Sequence, residues 1–168
     1  SGGGVRAVAA GEVDLARVAR PLTESEEKLG LVYKRFARCP VAFVVHPSIN
    51  FIDNITSEEI LGIYSGKITD WGKFGADGKI YAVSREPGDS CLLVLNNSLP
   101  GFKNIGQPMA KTIYNTPDAV ATLMQHRKTI GYLPMSMTIG TGLRILKVDG
   151  VYPSAENVEK GQYKLVLP

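Results

Sequence analysis

The stretch Ala82-Val83-Ser84-Arg85-Glu86-Pro87-Gly88-Asp89-Ser90-Cys91-Leu92-Leu93-Val94-Leu95 decides how the chain is read. It has the pattern of a strand end, a tight turn carrying one arginine, and the start of an apolar helix. Such a turn aims backbone N–H groups at one point, the helix start adds partial positive charge, and Arg85 offers a planar fork of donors. Pro87-Gly88 supplies the turn, and Asp89 or Ser90 can cap the helix. The unit is therefore expected to hold a small anion. Asp89 opposes that expectation, because its carboxylate stands where an anion would sit.

Working outward, other strand and helix signals alternate along the chain. Val41-Ala42-Phe43-Val44-Val45-His46 is a continuous apolar run between Pro40 and Pro47, which predicts a strand buried on both faces. Thr23-Glu24-Ser25-Glu26 and Thr56-Ser57-Glu58-Glu59 are capping boxes, each opening a helix, with Gly30 and Gly66 near the ends. Thr116 is expected as a cap with Pro117 at the first helical position. Ser154 is expected to cap a brief helix up to Gly161. Further strands are expected at residues 13–19, 79–84, 129–134, 143–148 and 163–167, and the opening residues up to Glu12 read as a loop entering a short helix. The predicted class is α/β, with a largely parallel sheet or two small sheets.

Composition narrows the function classes. The 168 residues are 44% hydrophobic and 21% charged, which is enough for a real core. One domain or two small lobes both fit this length. The net charge of +3 suits a small anionic ligand, and no basic stripe interleaved with aromatics marks a nucleic-acid binder. Lys34, Arg35 and Arg38 read as a solvated face. No stretch approaches the ~20 apolar residues of a membrane span. Cys39 and Cys91 leave a disulfide open. No cysteine–histidine spacing resembles a zinc site, His46 and His126 stand alone, and no cofactor is expected. Asp14 lacks a partner acid for general-base work. Cys91, at a helix start near Arg85, has the setting of a lowered thiol pKa but the wrong order for a cysteine-then-arginine phosphatase loop. The chain is read as a non-enzyme.

The order of motifs resembles the phosphate-binding receptors of bacterial ABC importers, within the type 2 periplasmic binding protein fold. Ser1-Gly2-Gly3-Gly4-Val5-Arg6 resembles the family's serine-glycine loop, and residues 11–16 followed by Arg20-Pro21-Leu22-Thr23 resemble its strand and exit. Residues 55–71, ending Tyr64-Ser65-Gly66-Lys67-Ile68-Thr69-Asp70-Trp71, are the most specific piece. Residues 85–91 align with the arginine-to-threonine anion loop, and residues 115–120, 130–132 and 147–158 also fit.

The resemblance implies two α/β lobes around a cleft. Residues 1–47 would form part of the first lobe, 48–137 the second, and 138–168 would return to the first. It implies a core fragment lacking the first strand and helix and the C-terminal helices. It implies capture of a small oxyanion, phosphate first, delivered to the membrane permease of an ABC importer. The protein itself would not insert in a membrane. Its location would be periplasmic or extracellular, with a lipid anchor as one form of the full-length protein. The ligand-binding residues would be Ser1, Gly2, Arg85, Gly88, Asp89, Ser90 and Cys91.

The pattern also departs from the family. Asp89, Ser90 and Cys91 stand where the family loop has serine, glycine and threonine, and Val18 and Ala19 replace hydrogen-bonding side chains. A carboxylate about 4 Å from a phosphate charge, at an effective dielectric of ~20, costs on the order of 4 kcal/mol, or about three decades of affinity. The alternative reading is a sensing or interaction domain of the same fold whose anion site is degenerate.

Overall fold

The apolar run expected as a buried strand is the one around which the molecule is built. The computed structural model describes residues 2–106 and 108–168. In chain order the elements are α1 (Gly2–Ala9), α2 (Glu24–Glu27), β1 (Cys39–Val45), β2 (Asn54–Ile55), α3 (Ser57–Tyr64), β3 (Tyr81–Arg85), α4 (Ser90–Ser98), β4 (Lys111–Ile113), α5 (Thr116–Gln125), β5 (Thr129–Pro134), β6 (Arg144–Ile145), β7 (Lys147–Val148), α6 (Ala155–Glu159) and β8 (Val166–Leu167). Short 3-10 turns at Trp71–Phe74, Phe102–Ile105 and Met135–Met137 link them.

Five strands run in the order β4-β3-β5-β1-β6, and β8 also pairs with β1. β3 lies parallel to β4 and β5, whereas β1 is antiparallel to β5, β6 and β8. The expectation of a largely parallel sheet is thus corrected to a mixed one. A small parallel pair, β2 with β7, stands apart. Val41 to Val45 are each fully buried, because both faces of β1 are covered. Val41, Phe43 and Val45 pack into the larger core with α3 and α4, while Ala42 and Val44 pack into a second core against α5. The strands of this one sheet come from residues 1–47 (β1), 48–137 (β3, β4, β5) and 138–168 (β6, β8).

The helix signals act as read. Thr23 and Thr56 each accept from the backbone three residues on, and Glu26 and Glu59 reach back to the cap amide. Gly30 and Gly66 take left-handed conformations just past those helices. Three expectations need correction. Residues 13–19 form no strand; Leu15 is 82% exposed, and a strand without a partner ladder is unstable. Residues 143–148 split into β6 and β7 on either side of buried Leu146, because the two halves pair with different strands. In α5 the cap is Asn115, whose side chain accepts from the Asp118 amide at 2.8 Å, so Thr116 is the first helical residue.

Two stability predictions follow from local contacts. Thr56→Ala removes one arm of the α3 capping box and should cost about 1 kcal/mol, lowering the melting midpoint by roughly 2–4 °C in a calorimetric scan. Arg20 holds the Glu26 carboxyl down at about 2, through a 2.7 Å ion pair and hydrogen bonds. A depressed acid stabilises the fold above its ordinary value near 4.5 and loses that contribution as pH falls toward 2. Chemical denaturation of Glu26→Gln should therefore show a deficit against the parent that is constant above pH 5 and shrinks between pH 4.5 and 2.

Candidate functional site

Ala82 and Val83 are buried in the middle of β3, and the strand ends on Arg85 at the edge of the core. That end is set by two tyrosines. The Tyr132 hydroxyl accepts from the Arg85 backbone N–H at 3.0 Å and shares a hydrogen bond with Ser84 Oγ at 3.0 Å. The Tyr64 hydroxyl donates to the Val83 carbonyl at 2.9 Å. Their rings pack on each other and on Phe43 with centroids 5.9–6.4 Å apart. Burial raises both phenols, Tyr132 to about 12, so neither ionises near neutral pH. Tyr132 is legible in sequence as a strand residue within the 130–132 match; its role as the hydroxyl anchoring the turn needs the β3–β5 pairing.

The Arg85 side chain is 4% exposed, and each guanidinium nitrogen has a partner within the chain. Nε donates to the Ile113 carbonyl at 3.1 Å, and Nη1 to Thr116 Oγ1 at 3.0 Å. The Glu86 carboxylate takes Nε and Nη2, and Asp89 Oδ2 takes Nη2 at 3.1 Å. Arg85 is thus held in a largely buried ion pair with Glu86 and Asp89. Thr116 is free to accept because Asn115 carries the α5 cap.

Asp89 is the second half of the arrangement. Its Oδ1 accepts from the Cys91 and Leu92 amides at 2.9 and 3.1 Å, making it the α4 N-cap. One carboxylate therefore satisfies the helix start and Arg85 together, the two groups offered to an external anion in the sequence reading. Burial raises the Asp89 carboxyl above its usual range, while the Leu92 amide and Arg85 act in the opposite direction.

Of the other expected ligand residues, Gly88 has φ +88°, which the turn requires and a side chain would strain. Ser90 opens α4. Cys91 is fully buried beneath the turn, and burial pushes its thiol far up, opposite to the shift of a nucleophilic cysteine. Gly2 begins α1, which packs by Gly4 against Ala16 and Arg17. The structure brings Arg85, Gly88, Asp89, Ser90 and Cys91 into one turn; Ser1 lies outside the described residues. A cavity of about 420 Å³ adjoins that turn, lined in part by Arg85, Pro87, Gly88, Asn96, Lys103 and Thr112.

The thiol environments make a direct prediction. Iodoacetamide at neutral pH should alkylate half-buried Cys39 and leave Cys91 unmodified in the folded protein, as read by peptide mass spectrometry. Rapid labelling of Cys91 would contradict its burial.

The overall fold is shared with known proteins. A family model described as a PBP superfamily domain matches residues 1–168. Phosphate-binding proteins PstS of Bacillus subtilis and Borreliella burgdorferi are 30% and 26% identical to the chain, covering 84% and 90% of it. The chain spans about half the length of these curated relatives, 48% and 57%. Among solved structures, a substrate-binding protein assigned to phosphate ABC transport in Clostridium perfringens, determined with bound phosphate, superposes with a TM-score of 0.83 at 26% identity, covering 100% of this chain and 69% of that one. An ABC-type phosphate transport receptor of Vibrio cholerae shares the fold, with a TM-score of 0.69 at 23% identity and coverage of 100% and 70%. The chain belongs to the PBP superfamily, with a mixed α/β fold that its relatives use in phosphate-binding proteins.

Proposed function

We propose that the chain is part of a solute-binding protein that captures a small oxyanion, phosphate first, for the permease of an ABC importer. The observation that supports this reading most is the placement of Arg85. It ends β3 between the N-termini of α4 and α5, at the carboxyl end of the parallel strands, where α/β folds place ligands. The relatives named above support phosphate as the anion. The working mechanism is lobe closure over the ligand, with residues 1–47, 48–137 and 138–168 as the proposed lobe segments, of which the strands β1, β6 and β8 would move together with β3 to β5 because they share one sheet. The ligand donors proposed are Arg85, the Gly88 turn, the amide of residue 90 and, once Asp89 releases it, that of residue 91, with Ser1 and Gly2 as further donors. Asp89 acts as an internal stand-in for the anion. The reading carries no enzymatic step and a periplasmic or extracellular location. No helix among the described residues is long and apolar enough to cross a membrane.

One observation favours a second reading, a sensing or interaction domain with a degenerate anion site. Asp89 already takes Arg85 and the α4 amides. Calorimetric titration of the full-length protein with phosphate separates the two. Heat that saturates below millimolar phosphate supports the receptor; no heat at millimolar phosphate, sulfate or molybdate supports the second reading. In a binding protein, Asp89→Ser removes the competing carboxylate from Arg85 and the α4 start and should tighten phosphate by at least about tenfold. Unchanged affinity would place the anion elsewhere.

A further inference from the structure

The α5 face of the sheet is covered at one end only. Val83 and Ile113 pack beneath Ala119 and Leu123 of α5. Two residues earlier on the same face stand Tyr81 and Lys111, since residues two apart share a face and Lys111 pairs with Val83 in register. Here α5 has run out: it ends at Gln125, and Tyr81 is 56% exposed. A groove of about 640 Å³ results, lined by Tyr81, Val83, Lys111, Gln125, His126 and Arg127 among others. It lies at the opposite end of β3 from Arg85, four residues and about 13 Å along the strand.

We propose that this groove is a second binding site, for a small organic anion with an aromatic or apolar body. Three features of the groove point to that class. Its volume falls in the range of small-molecule sites. Lys111 and Arg127 are exposed cations from different elements, and their side chains make no hydrogen bond or ion pair among the described residues; nor do those of Gln125 and His126. No Asp or Glu is among its described lining residues. Arg127 and His126 are favoured beside the C-terminal end of α5 by the helix dipole, but Lys111 sits on the edge strand β4, where that dipole gives no account of it. The floor of the groove is apolar, with buried Val83 at its α5 end and the exposed Tyr81 and Met109 side chains beside it. An anionic head can meet the cations while the body covers the floor, and inorganic phosphate would leave that floor wet.

The test is methyl NMR of the full chain titrated with naphthalene-1-sulfonate. The expected result is saturable shifts at Val83 and Met109, with Leu92 beside the Arg85 turn unmoved. Lys111→Glu combined with Arg127→Glu should weaken binding by about tenfold or more with an unchanged melting temperature, and naphthalene itself should bind at least about tenfold more weakly. Three results would overturn the proposal: an affinity indifferent to the double substitution, an acidic peptide saturating the same methyls at lower concentration, or the same shifts produced by raising protein concentration alone. The last would make the groove a contact between copies. Because phosphate titration reports on Arg85, failure here leaves the receptor reading intact, and the converse holds.

Discussion

The guanidinium of a side chain that is 4% exposed has to be neutralised where it sits, and much of this molecule follows from that requirement at Arg85. An arginine cannot shed its proton, so the remedy used elsewhere, a shifted pKa, is closed to it. Glu86 and Asp89 supply the charge, and the Ile113 carbonyl and Thr116 hydroxyl take further donors. Removing both carboxylates would strand a buried, uncompensated charge, which is strongly destabilising. The composition of the turn is therefore constrained by stability as well as by any ligand. The same carboxylate caps α4, so the helix start and the cation are satisfied by one residue.

The turn is held in place by a core organised around β1. Phe43 on that strand packs against the rings of Tyr64 and Tyr132, and the hydroxyls of those two tyrosines fix the last residues of β3. Antiparallel pairing of β1 with β5 aligns Phe43 with Tyr132. The packing layer and the site are thus one connected structure, in which the buried aromatic cluster positions backbone polar groups at its edge. In a solute-binding protein, this would make the half-site rigid before any ligand arrives, which lowers the ordering cost of binding.

Local signals were the most legible part of the chain. The two capping boxes, the Pro87-Gly88 turn and the doubly buried strand are each written in a few adjacent residues, and each depends on short-range chemistry that tertiary contacts reinforce. The failures share a cause. Residues 13–19 have strand composition but no described partner, and residues 143–148 carry one pattern that two different neighbours divide. In α5, Asn115 and Thr116 are both competent caps, and the choice between them frees the hydroxyl that Arg85 uses.

The site shows the same division. From sequence, Arg85 and the helix start behind it read as an anion cradle, and Asp89 reads as an objection to it. Residue types and their spacing determined that donors and a carboxylate would share one turn, because five consecutive positions cannot separate far. Only the tertiary structure decided what they do to each other. Folding buries the turn against Ile113 and Thr116, removes the water that would have screened the charges, and aims one carboxylate at both donor sets. That direction depends on how β3 meets β4 and α5, contacts made by residues 28 and 31 positions from Arg85, which no local pattern encodes.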